Sequence, residues 1–170
     1  MDQNGSEPNV SPLRPKSLTI LCYLTIFASM FMIMSSFGGI FNPEDQTKRT
    51  EELLNEYDAM VSQSTRDPKA LEDFQKGLKS ISLSNTSSNT HDYSVFTLIF
   101  NVLTLSGAFL MLRLRKNGFR LYVLGNVIAI VSALLVYGSG SWLGLAYAVY
   151  HGFTGFIFVL LYALKMKYME

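Results

Sequence analysis

The chain has 170 residues, of which 49% are hydrophobic and 16% are charged, and its formal net charge is +1. This length leaves room for one small bundle and no separate soluble enzyme domain. The single cysteine, Cys22, excludes an intramolecular disulfide, and no spacing of Cys and His residues indicates a zinc site.

Four apolar blocks dominate the sequence. They cover residues 17–41, 93–112, 119–138 and 142–164, and none of them contains an acidic residue. A helix of about 20 apolar residues crosses a membrane core of about 30 Å. The sequence therefore predicts an all-α polytopic protein, a bundle of four transmembrane helices in a lipid bilayer.

The residues before the first block predict a short tail. Residues 1–16 contain Asn, Gly, Ser and Pro and no apolar periodicity, which is typical of a disordered cytoplasmic N-terminus. The first block has a basic approach and could be read as a cleaved signal peptide. We interpret it as an uncleaved anchor, because its apolar stretch is longer than the apolar region of a usual signal peptide, which has about 7–15 residues.

The start of the first block also carries a family likeness. Residues 14–21, Arg-Pro-Lys-Ser-Leu-Thr-Ile-Leu, resemble the opening of small bacterial four-span membrane proteins of unknown function. The resemblance covers under a tenth of the chain. It implies a bacterial cytoplasmic membrane and no particular activity.

Basic residues fall on one side of the predicted membrane. If the chain crosses four times, the tail, the turn at residues 113–118 and the C-terminal residues 165–170 share that side, whereas the outer turn at residues 139–141 has no charge. Short cytoplasmic connections are enriched in Lys and Arg. Both termini are therefore predicted to be cytoplasmic, in a multi-pass protein of the cell membrane. The candidate contacts for lipid headgroups or a partner are Arg113, Arg115, Lys116 and Arg120.

Residues 42–92 form the one long connection, predicted outside the cytoplasm. They contain six basic and ten acidic residues and thus carry a net charge of −4. Start signals at Asn42 and Asp67, each followed by Pro, predict two amphipathic helices in an extracytoplasmic helical hairpin over residues 42–83. A Ser/Asn-rich linker is predicted over residues 80–90. The hairpin is either a packed cap without a partner or a docking surface for a membrane or envelope protein.

Polar side chains lie near the middle of the apolar blocks. Asn101, Asn126 and His151 are each about seven to nine residues from a predicted block end, a depth of roughly 11–14 Å. Thr25 and Ser29 bracket the same depth in the first block. Because lipid offers no hydrogen-bond partner, we expect all five to face the bundle interior.

This predicted polar layer has two interpretations. Asn and His side chains bonded between helices would hold the bundle together, each contributing about 0.6 kcal/mol. Alternatively, His151 would be the centre of a protonatable or ligand-contacting site. A proton-coupled carrier usually has an acidic residue in its spans, and the four blocks have none.

Small and aromatic residues complete the pattern. Small residues at four-residue spacing predict close helix packing, within the chain or between copies of it; they are Gly125, Ala129, Gly144, Ala148 and Gly152. Tyrosines near the block ends, such as Tyr93, Tyr137 and Tyr162, are predicted to lie in aromatic belts at the membrane boundaries.

These features favour a non-enzymatic integral membrane protein, an accessory, assembly or regulatory subunit of a larger membrane complex. The alternative is a small carrier or channel that uses Asn101, Asn126 and His151. No motif indicates a cofactor, a metal or a catalytic group. A net charge of +1 does not itself decide for or against nucleic acid, and we expect no nucleic-acid partner.

Overall fold

The computed structural model describes residues 15–64 and 67–169. All but the last two residues of the predicted N-terminal tail lie outside these ranges. The described residues contain helices and no strand, so the all-α class is confirmed. The helices are α1 Lys16–Phe41, α2 Pro43–Ser64, α3 Pro68–Ser84, α4 Ser87–Leu112, α5 Lys116–Tyr137 and α6 Trp142–Ala163, followed by a 3₁₀ turn at Met166–Tyr168.

Polar side chains fix where three of the helices begin. The Thr86 hydroxyl accepts a hydrogen bond from the Asn89 backbone N–H at 3.2 Å, and the Ser141 hydroxyl accepts one from the Gly144 N–H at 2.9 Å. Asp67 caps α3 in the same way. Each side chain satisfies an amide group that the first helical turn leaves without an intrahelical partner.

The connection between α3 and α4 is shorter than predicted. Only Asn85 and Thr86 separate the two helices, and most of the expected linker at residues 80–90 is helical. The Ser84 hydroxyl donates to the Ser80 carbonyl at 2.9 Å, and the Asn89 amide donates to the Ser84 carbonyl at 2.8 Å. Ser, Thr and Asn readily make such local bonds to the backbone, so this composition ends one helix and caps the next.

Helices α1, α4, α5 and α6 form an antiparallel bundle. Long interfaces join α1 to α4, α4 to α5 and α5 to α6, whereas α1 and α6 touch at only a few positions. All four helices are long and apolar enough to cross a membrane. We call the end of the bundle beside α2 and α3 the acidic end, and the end formed by the α4–α5 turn the basic end.

Helix α1 turns its small polar side chains toward the other helices. Thr25 and Ser29 are buried, whereas Phe27 and Met34 are 76% and 72% exposed. A surface helix of a water-soluble protein has the opposite arrangement, with its apolar side chains facing the core. The outward apolar face of α1 therefore suits apolar surroundings.

Glycines bring α4 and α5 into backbone contact. A Cβ atom on Gly107 would lie 2.7 Å from the Gly118 carbonyl oxygen, and one on Gly118 would lie 2.5 Å from the Gly107 carbonyl oxygen. Neither backbone can move away without moving its helix. Hydrogen at these two positions is therefore what permits the closest approach of the two helices.

The small residues predicted to join α5 to α6 are divided between two interfaces. Gly125 packs against α4, where a Cβ atom would lie 2.9 Å from a backbone oxygen. Gly144 packs against the end of α5, while Gly152 has a single side-chain atom of α5 within 4 Å. Ala129 is buried and Ala148 is half-buried. The glycine face of α5 thus meets α4 rather than α6.

A buried cluster closes the basic end of the bundle. It joins α1, α4, α5 and α6 to the residues after α6, and its largest member, Tyr162, has no exposed surface. The cluster consists of Leu18, Cys22, Met111, Tyr122, Tyr162 and Met169.

Helices α2 and α3 contain no buried residue. They are joined by a hydrogen bond from the Gln75 amide to the Asp58 carboxylate at 3.1 Å. Helix α2 is also linked to the start of α4, where the Thr47 and Thr90 hydroxyls lie 3.2 Å apart. The two helices therefore rest on the acidic end without forming a core of their own.

Substitution of two helical glycines should separate packing from helix propensity. We expect Gly107→Ala to lower the free energy of unfolding by about 1–3 kcal/mol, because the added methyl meets rigid backbone. Gly77→Ala is the matched control, since nothing lies within 4 Å of its Cβ position in α3. It should raise stability by about 0.5–1 kcal/mol. Unfolding in mild detergent measures both values, and equal effects would contradict the close α4–α5 contact.

Candidate functional site

The five residues of the predicted polar layer line a single cavity. Its volume is about 230 Å³, and α1, α4, α5 and α6 all contribute to its wall. We call it the central cavity. Its polar lining residues are Thr25, Ser29, Asn101, Thr104, Tyr122, Asn126, Tyr150, His151 and Thr154.

Two hydrogen bonds cross between helices beside this cavity. The Thr25 and Tyr162 hydroxyls lie 2.8 Å apart and join α1 to α6, and the Ser29 and Thr104 hydroxyls lie 3.0 Å apart and join α1 to α4. These pairs bring together helices that are distant in the sequence. Thr25 and Ser29 therefore act as links between helices as well as lining residues.

The two asparagines are bonded within their own helices. The Asn101 amide donates to the Thr97 carbonyl, and the Asn126 amide donates to the Tyr122 carbonyl, each at 2.8 Å. One N–H of each amide is used in this way, and a primary amide carries a second N–H and a carbonyl oxygen. The backbone bonds fix the side chains in a defined orientation at the cavity wall, and the Asn126 Oδ1 atom also packs against Gly155 of α6.

His151 is positioned by a tyrosine of another helix. Its Nε2 atom lies 2.8 Å from the Tyr93 hydroxyl, and which of the two groups donates depends on the imidazole tautomer. Three further rings surround the imidazole, with centroids 5.3 Å away for Phe100, 5.2 Å for Tyr150 and 6.4 Å for Tyr147. The imidazole is thus held on several sides by aromatic rings.

A second cavity lies between the central cavity and the acidic end. Its volume is about 190 Å³, and we call it the outer cavity. Polar side chains from α1, α2 and α4 line it, among them Ser36, Gln46 and Thr97. The two cavities share four lining residues, which are Met32, Phe100, Tyr150 and His151. His151 therefore stands at the junction between them.

The linings of both cavities consist of apolar and uncharged polar side chains, together with the imidazole of His151. No Asp, Glu, Lys or Arg is among the described residues that line either cavity. Within the described part of the chain, no group of three or more His, Cys, Asp or Glu side chains could hold a metal ion. The chemistry available in the cavities is hydrogen bonding by hydroxyl, amide and imidazole groups, together with aromatic contact.

Two of the tyrosines predicted to lie in the aromatic belts face the interior of the bundle. Tyr137 and Tyr162 are buried, and Tyr93 points to His151. The ring centroids of Tyr93 and Tyr137 are 5.1 Å apart. A tyrosine near the end of an apolar helix suits both a membrane boundary and a buried hydroxyl network, because it has an apolar ring and a polar tip. Sequence position alone does not distinguish these two placements.

The basic residues predicted to contact lipid or a partner lie apart from the cavities. All four are exposed in or beside the α4–α5 turn at the basic end. In the described residues, the ion pairs closer than 4 Å involve other side chains. Arg113, Arg115, Lys116 and Arg120 are therefore accessible from outside the bundle.

Comparisons with protein-family models, with curated proteins and with solved structures gave no match for this chain. The fold and the site define a class only, a helical protein with four apolar helices of membrane-spanning length around a polar cavity.

A double-mutant cycle should measure the hydrogen bond that holds His151. We expect Tyr93→Phe and His151→Leu to be non-additive, with a coupling free energy of about 0.6 kcal/mol and at most about 1.7 kcal/mol. Equilibrium unfolding of both single variants and the double variant in mild detergent gives this value.

The control pairs Tyr93→Phe with Thr154→Val. Thr154 lies one turn from Tyr150, and its hydroxyl bonds to the carbonyl of that residue at 2.7 Å. Tyr93 and Thr154 have no hydrogen bond to each other, so these two changes should add to within about 0.5 kcal/mol. Additivity of the His151 pair as well would contradict the bond.

Proposed function

We propose that this chain is an integral protein of the cytoplasmic membrane with four spans and both termini in the cytoplasm. The outward apolar faces of α1 and α6 support membrane embedding, since Phe27 and Val149 are 76% and 68% exposed. The charges support the orientation. The exposed basic turn and the C-terminal lysines lie at one end, while α2 and α3 place their acidic residues at the other.

In this topology α2 and α3 form an extracytoplasmic helical hairpin. The hydrogen bond between Gln75 and Asp58 supports their side-by-side packing, and the Thr47–Thr90 contact supports their attachment to the outer end of the bundle. The hairpin would cover part of the outer face, where Gln46 and Thr50 of α2 line the outer cavity.

We propose further that the protein is a non-enzymatic ligand-binding protein of the small-carrier type. The observation that carries this proposal is the convergence of Thr25, Ser29, Asn101, Asn126 and His151 on one cavity. Side chains whose only role is to join helices would fill the space between them. A cavity of 230 Å³ exceeds the roughly 150 Å³ that holds one benzene molecule.

For such a carrier, two features of the structure support an outward-facing state. Polar side chains continue from the central cavity through His151 to the outer cavity and the acidic end. The opposite direction is closed by the buried cluster around Tyr162 and by the Thr25–Tyr162 hydrogen bond. A pore open at both ends does not fit this asymmetry, whereas a carrier closed at its inner end does.

Cysteine labelling with a membrane-impermeant thiol reagent should test this proposal in a Cys22→Ala background. Ser36→Cys in the outer cavity should react from outside intact cells. Ser29→Cys in the central cavity should react from outside and, in inside-out vesicles, from the cytoplasmic side as well, because a carrier opens alternately. Phe27→Cys, which faces away from the cavities, should react from neither side.

Two exposed positions control for orientation in the same experiment. Ser88→Cys should react from outside, and Asn117→Cys should react only after permeabilisation. An unreactive Ser29→Cys with a reactive Ser88→Cys would argue against a ligand cavity. Reaction of Ser29→Cys from outside only would argue against carrier function, and reversed labelling of the two control positions would overturn the topology.

A second candidate function is that of an accessory or regulatory subunit in a membrane complex. One observation favours it, an apolar stripe on α2 that the other described residues leave uncovered. Leu53, Tyr57 and Met60 are each about one helical turn apart and are 54%, 55% and 49% exposed. Such a stripe on an otherwise acidic helix would suit a membrane or envelope protein partner.

Site-specific photo-crosslinking should test this second candidate. A photoreactive amino acid in place of Tyr57 should yield one stoichiometric crosslinked partner in intact cells. The same amino acid in place of Ala59, which is exposed on a different face of α2, should yield none. Equal crosslinking at both positions, or none at either, would exclude α2 as the docking surface.

A further inference from the structure

The central cavity has a side opening between α1 and α6. These two helices touch at only a few positions, and both contribute to the cavity wall. Two lining residues, Leu24 of α1 and Tyr150 of α6, are 53% and 55% exposed at the outer surface of the bundle. A third, Ala28 of α1, is also exposed. Residues that line the cavity therefore also belong to the surface of the bundle.

The opening joins a polar interior to an apolar exterior. Asn101, Thr104 and Asn126 form the wall on α4 and α5, opposite the opening. The surface around the opening is apolar, with Phe31 and Phe153 exposed on α1 and α6. In the proposed topology this surface faces lipid. A hydrocarbon chain alone would offer no partner to the amide groups of the wall that their backbone bonds leave unused, and water alone would be in contact with lipid at the opening.

An occupant with a polar head and an apolar chain satisfies both environments. The lining offers hydroxyl, amide and imidazole groups, which both donate and accept hydrogen bonds. It includes no Asp, Glu, Lys or Arg among the described residues, so a charged head would lose its hydration without gaining a counter-charge. The chemistry therefore favours an uncharged head with hydroxyl or carbonyl groups.

The volume limits how much of the occupant enters. A space of 230 Å³ accommodates a head of glycerol or single-ring size. The apolar chain must then leave through the α1–α6 opening and lie along the outward faces of these helices. This arrangement excludes entry of a whole two-chain lipid into the cavity.

We infer that the central cavity binds a neutral single-chain amphiphile, a membrane lipid with a hydroxyl- or carbonyl-bearing head, that enters sideways between α1 and α6. This inference rests on the proposed ligand-binding function and names the class of its ligand. His151 and Asn126 contact the head from two walls of the cavity, and Leu24, Ala28 and Tyr150 contact the start of the chain.

Photolabelling of the full-length protein in lipid nanodiscs tests this inference. The probe is a monoacylglycerol that carries a diazirine and an alkyne in its acyl chain. After irradiation, labelled peptides should come from α1 and α6 around Ala28 and Tyr150. Unlabelled monoacylglycerol should compete for labelling, whereas glycerol should not. A fatty acid with the same diazirine and alkyne, which has an anionic head, should label these peptides several-fold less.

Substitutions at the opening provide matched controls. Ala28→Trp should lower labelling several-fold by obstructing the opening, while Phe27→Trp, at the adjacent exposed position outside the cavity lining, should leave labelling unchanged. Thr154→Trp obstructs the opening from α6 and should match Ala28→Trp. Thermal unfolding of each variant shows which proteins remain folded. The two obstructing substitutions lie on different helices.

The outcomes distinguish this inference from the carrier proposal on which it rests. Equal labelling of the wild type, Ala28→Trp and Thr154→Trp would mean ordinary contact with bulk lipid and would overturn the inference. Competition by glycerol would indicate a water-soluble ligand, overturning the inference while leaving the carrier proposal. If the monoacylglycerol probe does not label the protein but Ser29→Cys reacts with the thiol reagent, the inference is likewise overturned and the carrier proposal stands. If the probe does not label the protein and Ser29→Cys does not react with the thiol reagent, both the inference and the carrier proposal are overturned.

Discussion

The constraint on which this structure depends is that polar side chains inside an apolar bundle need hydrogen-bond partners within the chain. Among the described residues, every fully buried side-chain nitrogen or oxygen has such a partner. Thr97 and Ser132 bond to the preceding turn of their own helix, while Thr25 and Ser29 bond to other helices. The direction in which each polar residue faces is set by this requirement, because an unpaired polar group costs several kcal/mol in apolar surroundings.

Uneven packing then determines where space remains. Gly107, Gly118 and Gly125 bring α4 and α5 together so closely that no side chain fits between their backbones. Among the described residues, α1 and α6 meet at only a few positions, one of which is the hydrogen bond between Thr25 and Tyr162. The bundle is tight on one side and open on the other, and the cavity lies next to the loose side.

Sequence reasoning could predict the helices, since four long apolar blocks have few alternative structures. It could also identify residues that share a depth, because rise per residue converts position to distance. It could not assign Gly125 to α4 rather than α6, since a small face fits either neighbour. The inward rotation of Tyr93 toward His151 was equally inaccessible, because a tyrosine at a helix end suits a membrane boundary as well. Both depend on how the helices are rotated about their axes. The sequences of the apolar blocks are only weakly amphipathic, so they leave this rotation undetermined.

The asparagines argue against a polar layer that serves adhesion alone. A residue whose role is to join helices must bond across the interface, as Ser29 does to Thr104 and as His151 does to Tyr93. Asn101 and Asn126 instead bond to carbonyls of their own helices. These two backbone bonds add little to the association of the helices, although the Asn126 side chain also packs against Gly155 of α6. A pair of amides fixed by their own backbones on the wall of a cavity supports the proposed ligand-binding role more than a role confined to holding the helices together.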